Sequence, residues 1–148
     1  MLLDVNILVY AFRDDSAQHS AMAAFLNELV NGTSMFGVPE TCMSSLVRTV
    51  TQSAFKPPST LASVFHFCDV LRSAPTFMQV QPSDRHWKIF QEVCVKSKAS
   101  GPLVADAYLA AFAIDRGDEW VTADRDFSKF PGLTWRHPLK GHSITNPR

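Results

Sequence analysis

Apolar positions along this chain fall into short runs divided by polar turns, and their spacing sorts them into elements. Leu2 and Leu3, followed by the apolar run Ile7 to Phe12, read as a buried opening strand that passes into the polar turn Asp14, Asp15 and Ser16. Met22, Phe25, Leu26, Leu29 and Val30 then recur at i, i+3, i+4, i+7 and i+8, the stripe of an amphipathic helix that Asn31-Gly32 stops. Met35 to Val38 predicts a short second strand. Pro39 suits the first turn of a helix that buries Met43, Leu46, Val47 and Val50.

The stretch Lys56-Pro57-Pro58-Ser59 breaks that helix, and Ser59 or Thr60 can cap a third one with Leu61, Val64, Phe65, Cys68 and Leu71 on its inner face. Phe77 to Val80 reads as a strand, and Ser83 opens a helix burying Trp87, Phe90 and Cys94. Gly101-Pro102 introduces a helix over Leu103 to Arg116, closed by Gly117. Trp120-Val121-Thr122 and Leu133-Thr134-Trp135 are late strands, and both Trp87 and Trp120 read as core aromatics rather than base-stacking platforms. Strands alternating with helices predict an α/β fold with a largely parallel sheet.

Composition narrows the class. A length of 148 residues fits one domain. With 46% hydrophobic and 19% charged residues, intrinsic disorder is excluded. The N-terminal run carries Asp4 and lacks a preceding basic cluster, so it fails as a signal peptide, and no window has the length of a membrane span. Cys42, Cys68 and Cys94 show no metal-binding spacing and read as core thiols, which fits a reducing cytoplasm. The 14 Lys and Arg balance the 14 Asp and Glu, which argues against a protein that coats polyanions by bulk charge. The balance is uneven, however. Residues 127 to 148 hold Lys129, Arg136, Lys140 and Arg148 and no acid, and residues 85 to 98 hold Arg85, Lys88, Lys96 and Lys98 against Glu92 alone.

Acids stand out where strands end. Asp4 directly follows Leu2-Leu3, at the strand end where open parallel sheets bind ligands, although a lone Asp there can also serve as a helix cap. Asp106 has Leu109, Ala110 and Ala113 three, four and seven residues after it, which puts a carboxylate on the apolar stripe of its helix or in its first turn. Asp124 and Asp126 follow the strand at Val121, where an Asx turn is the plain alternative. Three segments thus deliver acids to one sheet edge, where they would repel unless a cation joined them. Oxygen-only ligands point to Mg²⁺ or Mn²⁺.

Leu3-Asp4-Val5-Asn6, the helix beginning Asp106-Ala-Tyr-Leu-Ala-Ala, and Val121-Thr-Ala-Asp124-Arg-Asp126-Phe127 with Phe130-Pro-Gly-Leu-Thr-Trp after it together resemble a PIN domain, and more narrowly the VapC ribonuclease toxins. The likeness spans residues 1 to about 139. It implies a single PIN domain over 1–139, folded as a three-layer α/β/α sandwich with a central, mostly parallel sheet, and a flexible basic tail over 140–148. It also implies Mg²⁺-dependent endonucleolysis of RNA by the toxin of a type II toxin–antitoxin pair, with a VapB-type antitoxin as partner, homodimerisation and no membrane association. Carried over by position, Asp4, Asp106 and Asp124 would be catalytic and metal-binding, Asp126 a further acid, and Asn6 the supporting polar residue. The family's usual Glu lies three residues before an Arg, and here that position, before Arg48, is Ser45. Glu40, the only nearby carboxylate, is carried as a further candidate catalytic acid, although it lies five residues, at ~100° each, around the helix from that position and a first-turn residue favoured by the helix dipole is the plain alternative.

Two other readings compete. A catalytically weak or inactive PIN-fold domain that binds RNA or protein would follow from the missing acid, and metal titration separates it from a nuclease. A phosphoryl-transfer enzyme with an Asp nucleophile would need a late Lys where Asp124 and Asp126 stand.

Overall fold

The computed structural model describes residues 1–148. Its strands are β1 (Leu2–Leu3), β2 (Phe36–Gly37), β3 (Phe77–Met78), β4 (Trp120–Val121), β5 (Thr134–Arg136) and β6 (Ile144–Thr145), and its helices are α1 (Val5–Phe12), α2 (His19–Asn31), α3 (Glu40–Val50), α4 (Leu61–Ser73), α5 (His86–Ser97) and α6 (Pro102–Arg116). They form one six-stranded sheet in the order β3-β2-β1-β4-β5-β6, parallel throughout except for the antiparallel β5–β6 pair. The central strands are apolar on both faces, with Leu2, Leu3, Trp120 and Val121 fully buried, as a sheet covered on both sides requires.

Connectivity explains the layers. From β1 the chain moves outward to β2 and β3, with α1 to α4 in the crossovers, and then returns past β1 to β4 through α5 and α6. Right-handed crossovers running in opposite directions place their helices on opposite faces. The result is the expected α/β/α arrangement. The order reverses between β1 and β4, and the carboxyl ends of those two strands are the switch point at which open α/β sheets bind ligands.

Several local expectations are corrected. Ile7 to Phe12 is helix, not strand: Asp4 ends β1 and caps α1, accepting a hydrogen bond from the Val5 N–H, and Ile7, Leu8 and Ala11 then face inward at helical spacing. A six-residue apolar run has no periodicity that separates the two outcomes. In α4, capped by Thr60, the buried stripe is Val64, Cys68 and Leu71, whereas Leu61 and Phe65 are exposed. In α5 the buried residues are His86 and Val93, and Trp87, expected in the core, is 62% exposed and leans on Phe90. Val47 is half-buried.

The stretch 140–148, expected as a flexible tail, contributes β6 and a buried Asn146. The Asn146 amide donates to the carbonyls of Phe127 and Phe130 at 2.9 and 2.8 Å and accepts from the Trp135 indole N–H at 3.1 Å. No sequence period marks this docking, because one buried side chain carries most of it.

Candidate active site

Asp4 and Asp124 follow the carboxyl ends of β1 and β4, the paired strands at the switch point. The Asp4 carboxylate is 3% exposed and fully engaged. Its Oδ1 accepts from the Val5 N–H at 2.6 Å, and its Oδ2 accepts from the Asn6 side-chain amide at 2.9 Å and from the Thr122 hydroxyl at 2.6 Å. Thr122 Oγ1 in turn accepts from the Asn6 amide at 2.9 Å and from the Asp124 N–H at 3.0 Å, while Asn6 Oδ1 accepts from the Ala123 N–H at 3.1 Å. Asn6 and Thr122 therefore lock the two strand ends together and aim the Asp4 carboxylate. Asp124 caps the 3₁₀ turn Arg125–Lys129, accepting from the Asp126 N–H at 2.8 Å.

The charges show which acids share a field. Burial pushes the Asp4 carboxyl from 3.8 to about 6; the hydrogen bonds from Thr122 and Val5 pull it down, and the charges of Asp106 and Asp124 push it further up. Asp106, half-buried on α6, is also raised, first by burial, then by Asp124 and Asp126, with Lys129 opposing. That lysine is already engaged by Asp126 at 2.7 Å. Asp4, Asp106, Asp124 and Asp126 thus form one electrostatic cluster with too few cations. The side chains do not stand at a geometry in which three His, Cys, Asp or Glu groups would hold a metal ion.

Glu40 does not belong to this cluster. It is exposed in the first turn of α3, with Oε1 3.5 Å from the Arg72 guanidinium and 3.4 Å from the Gln79 amide. With Met43, Arg48, Phe65 and Arg72 it lines the largest cavity, about 530 Å³, between α3 and α4. Helix phase is the reason: the buried stripe of α3 is Cys42, Met43, Leu46 and Val50, and Glu40 precedes it on the solvent side. What α3 presents to the cluster is the buried Cys42 thiol, pushed well above its usual range first by burial, then by Asp4, with Asp106 adding to it. Ser45 is half-buried.

Thr122 and Cys42 are the site neighbours that sequence reasoning passed over. A hydroxyl two residues before Asp124, at the end of a buried strand, was the available signal for Thr122. Cys42 carried none beyond its apolar spacing.

Comparison with known proteins agrees with this architecture. A family model described as the PIN domain matches residues 1–133. The chain is 36% identical over 144 residues to VapC ribonuclease Mb2897 of Mycobacterium bovis, covering 97% of this chain and 98% of that protein. It is 31% identical over 138 residues to Ribonuclease VapC25 of Mycobacterium tuberculosis, covering 93% and 97%. Among solved structures it resembles VapBC2 from Rickettsia felis bound to a DNA fragment from their promoter, with TM-score 0.64 and 17% identity over 92% of this chain and 96% of that one. Mycobacterium tuberculosis VapC20, described as a Sarcin-Ricin loop cleaving toxin, matches with TM-score 0.60 and 13% identity over 86% and 92%. The chain belongs to the PIN-domain family and, within it, to the VapC ribonucleases.

Proposed function

We propose that this protein is an endoribonuclease that cuts RNA phosphodiester bonds with the help of a divalent cation, Mg²⁺ or Mn²⁺, as the toxin of a toxin–antitoxin pair. The observation that carries the reading is the buried Asp4 carboxylate at the end of β1, tied through Asn6 and Thr122 to the segment bearing Asp124 and standing at about 6, raised first by burial and then by the charges of Asp106 and Asp124. Such a cluster gains most from a hard cation held by oxygen, and Asp4, Asp106 and Asp124 are the residues that would hold it. Bound there, the cation would lower the pKa of a water and neutralise charge developing on the scissile phosphate.

The chain's own residues prepare that site. Hydrogen bonds from the Val5 N–H and the Thr122 hydroxyl favour the ionised form of Asp4 against the cost of burial. Asn6 and Thr122 fix the rotamer of Asp4 and tie it to the segment that carries Asp124. Protein nucleophiles are not supported here: the Cys42 thiol is buried and held neutral by its raised pKa.

Relatives named as ribonucleases support RNA as substrate, and solved relatives described as VapBC support a VapB-type antitoxin as partner. No helix is long and apolar enough to cross a membrane, and the three cysteines are free, which supports action in the cytoplasm. A homodimer follows from the family reading. The missing carboxylate at Ser45 favours a weaker cation site than a four-acid set would make, so activity should require higher Mg²⁺.

Mapping RNA ends in cells that express the wild type or Asp4→Asn tests the proposal. New ends and growth arrest are expected with the wild type and neither with the variant. Cleavage at the same positions in both overturns it.

A further inference from the structure

We infer that a second, cationic cavity beside the acidic cluster seats a backbone phosphate of the RNA that flanks the one being cut. The inference rests on the nuclease reading above.

The cavity, about 240 Å³, is lined by Arg125, His137, Lys140 and His142 on a floor that includes Ala123 and Trp135, and it has no carboxylate in its wall. It begins where the acidic cluster ends. Ala123 and Arg125 are the two chain neighbours of Asp124, and the Ala123 N–H is bound to Asn6 of the Asp4 network. The floor is rigid, since Trp135 lies on β5 with its indole N–H held by Asn146.

Charge separates this cavity from the rest of the basic C-terminal stretch. Lys129 is neutralised by Asp126 at 2.7 Å and Arg136 by Glu119 at 2.8 Å, and Arg148 lines a different cavity that also holds Glu92, whereas Arg125 and Lys140 form no ion pair and share a cavity without an acid. The His137 ring is held in a turn closed by the Lys140 N–H on its carbonyl, and its Nδ1 accepts from the Leu139 N–H at 3.2 Å. That bond leaves Nε2–H as the donor of the neutral imidazole. Burial, Lys140 and Arg125 all hold His137 below its usual pKa, as expected where cations gather without an anion.

An anion is the chemistry that completes such a pocket. Two unpaired cations and ring N–H donors match the charge and the acceptor oxygens of a phosphate. The volume lies below the range typical of drug-sized ligand sites, so it fits one phosphate better than a whole nucleotide. Its place next to Asp124 sets the order along the strand: the scissile phosphate at the acids, a flanking phosphate at the cations. Repulsion by the acidic cluster would otherwise oppose RNA approach, and this pocket offsets it locally in a chain of zero net charge.

Fluorescence anisotropy with a labelled oligouridylate, without divalent cation, tests this on the full chain. Lys140 and His142 are exposed, so Lys140→Gln and His142→Gln should fold, which thermal melting checks. The double variant is expected to bind about tenfold more weakly at low salt, and its plot of log affinity against log salt should flatten by about 0.7, the value for one phosphate on a single strand. Lys140→Arg should restore binding. Oligonucleotides carrying one neutral methylphosphonate at successive positions should show a single position at which the double variant causes no further loss.

An unchanged salt slope overturns the assignment, and so does equal weakening at every methylphosphonate position, which would mean diffuse attraction. Unchanged RNA binding with loss of antitoxin binding overturns it in favour of a protein contact. If the wild type cleaves RNA while any of these results is found, the pocket fails alone. If the wild type neither binds nor cleaves RNA, the nuclease reading falls and takes the pocket with it.

Discussion

Replacing Asp4 by Asn should make the metal-free protein more stable at neutral pH while removing its activity. The Asp4 carboxyl has an ordinary value of 3.8 and stands at about 6 in the fold. Between those values the native state keeps a proton that the unfolded chain has lost, so stability falls as pH rises through that window. At 1.36 kcal/mol per unit, the loss sums to about 3 kcal/mol by pH 7. Full stability from this group is present only below about pH 4.

The substituted side chain would carry no charge and escape that loss, but its amide nitrogen would face the Val5 N–H, which now donates to Asp4 Oδ1 at 2.6 Å, the alternative flip losing both the Asn6 and the Thr122 bonds at Oδ2. One lost hydrogen bond costs about 1 kcal/mol, which leaves a net gain of about 2 kcal/mol above pH 7. For a chain of this size that is a rise in Tm of roughly 4–8 °C. Urea unfolding of both proteins from pH 4 to pH 8 in chelator-treated buffer measures it. The difference should be near zero or slightly negative at pH 4 and grow through pH 6. A difference that stays constant across the whole range would refute the reasoning. Mg²⁺ at neutral pH should stabilise the wild type and leave Asp4→Asn little changed, because only the wild type has the carboxylate to be neutralised.

Three further changes test other parts of the structure. Glu40→Gln should cleave RNA within about twofold of the wild type in a gel assay, since Glu40 faces Arg72 and Gln79 rather than the acids. Asn146→Ala leaves the buried Trp135 N–H without a partner and the Phe127 and Phe130 carbonyls with only their 3.3 Å bonds from the Phe130 and Leu133 N–H groups, and should cost about 2 kcal/mol in denaturant unfolding, where a free tail would give no change. Arg13→Ala breaks the guanidinium contacts of the α1 end to the Pro57 carbonyl and the Ser59 hydroxyl at 3.0 Å each, and should cost about 2 kcal/mol by the same measurement.

The acids at the strand ends were legible because a carboxylate immediately after a buried apolar pair, or on an apolar helix stripe, is rare without a purpose. Asp4, Asp106 and Asp124 each break the local pattern in that way, and the structure brings their charges within reach of one another. Strand and helix were not separable at Ile7 to Phe12, where the deciding feature is a single cap on Asp4 rather than a period. Helix phase failed in α5, where Trp87 is exposed although its spacing from Phe90 and Cys94 is that of a buried face. The role of Thr122 depends on the pairing of β1 with β4, which brings residues 118 positions apart into one hydrogen bond, and no local window contains that information.

That pairing also explains how the fold tolerates its own acids. An ionised carboxylate buried between two strand ends is costly, and the structure offsets the cost with groups it needs anyway: the first N–H of α1, a hydroxyl on β4's exit and the Asn6 amide. Each of these also holds the strand ends in register, so the site and the sheet centre stabilise one another. The offset is partial, since Asp4 remains lifted to about 6. A residual cost of that kind would favour cations at the acids: any ligand that neutralised Asp4 would recover the loss, whereas an anion arriving alone would add to it. RNA phosphate would therefore need either a cation at the acids or a cationic foothold beside them, and on the proposed reading the neighbouring positions of the Asp124 carboxylate and the Arg125–Lys140 cavity would provide for both along one strand.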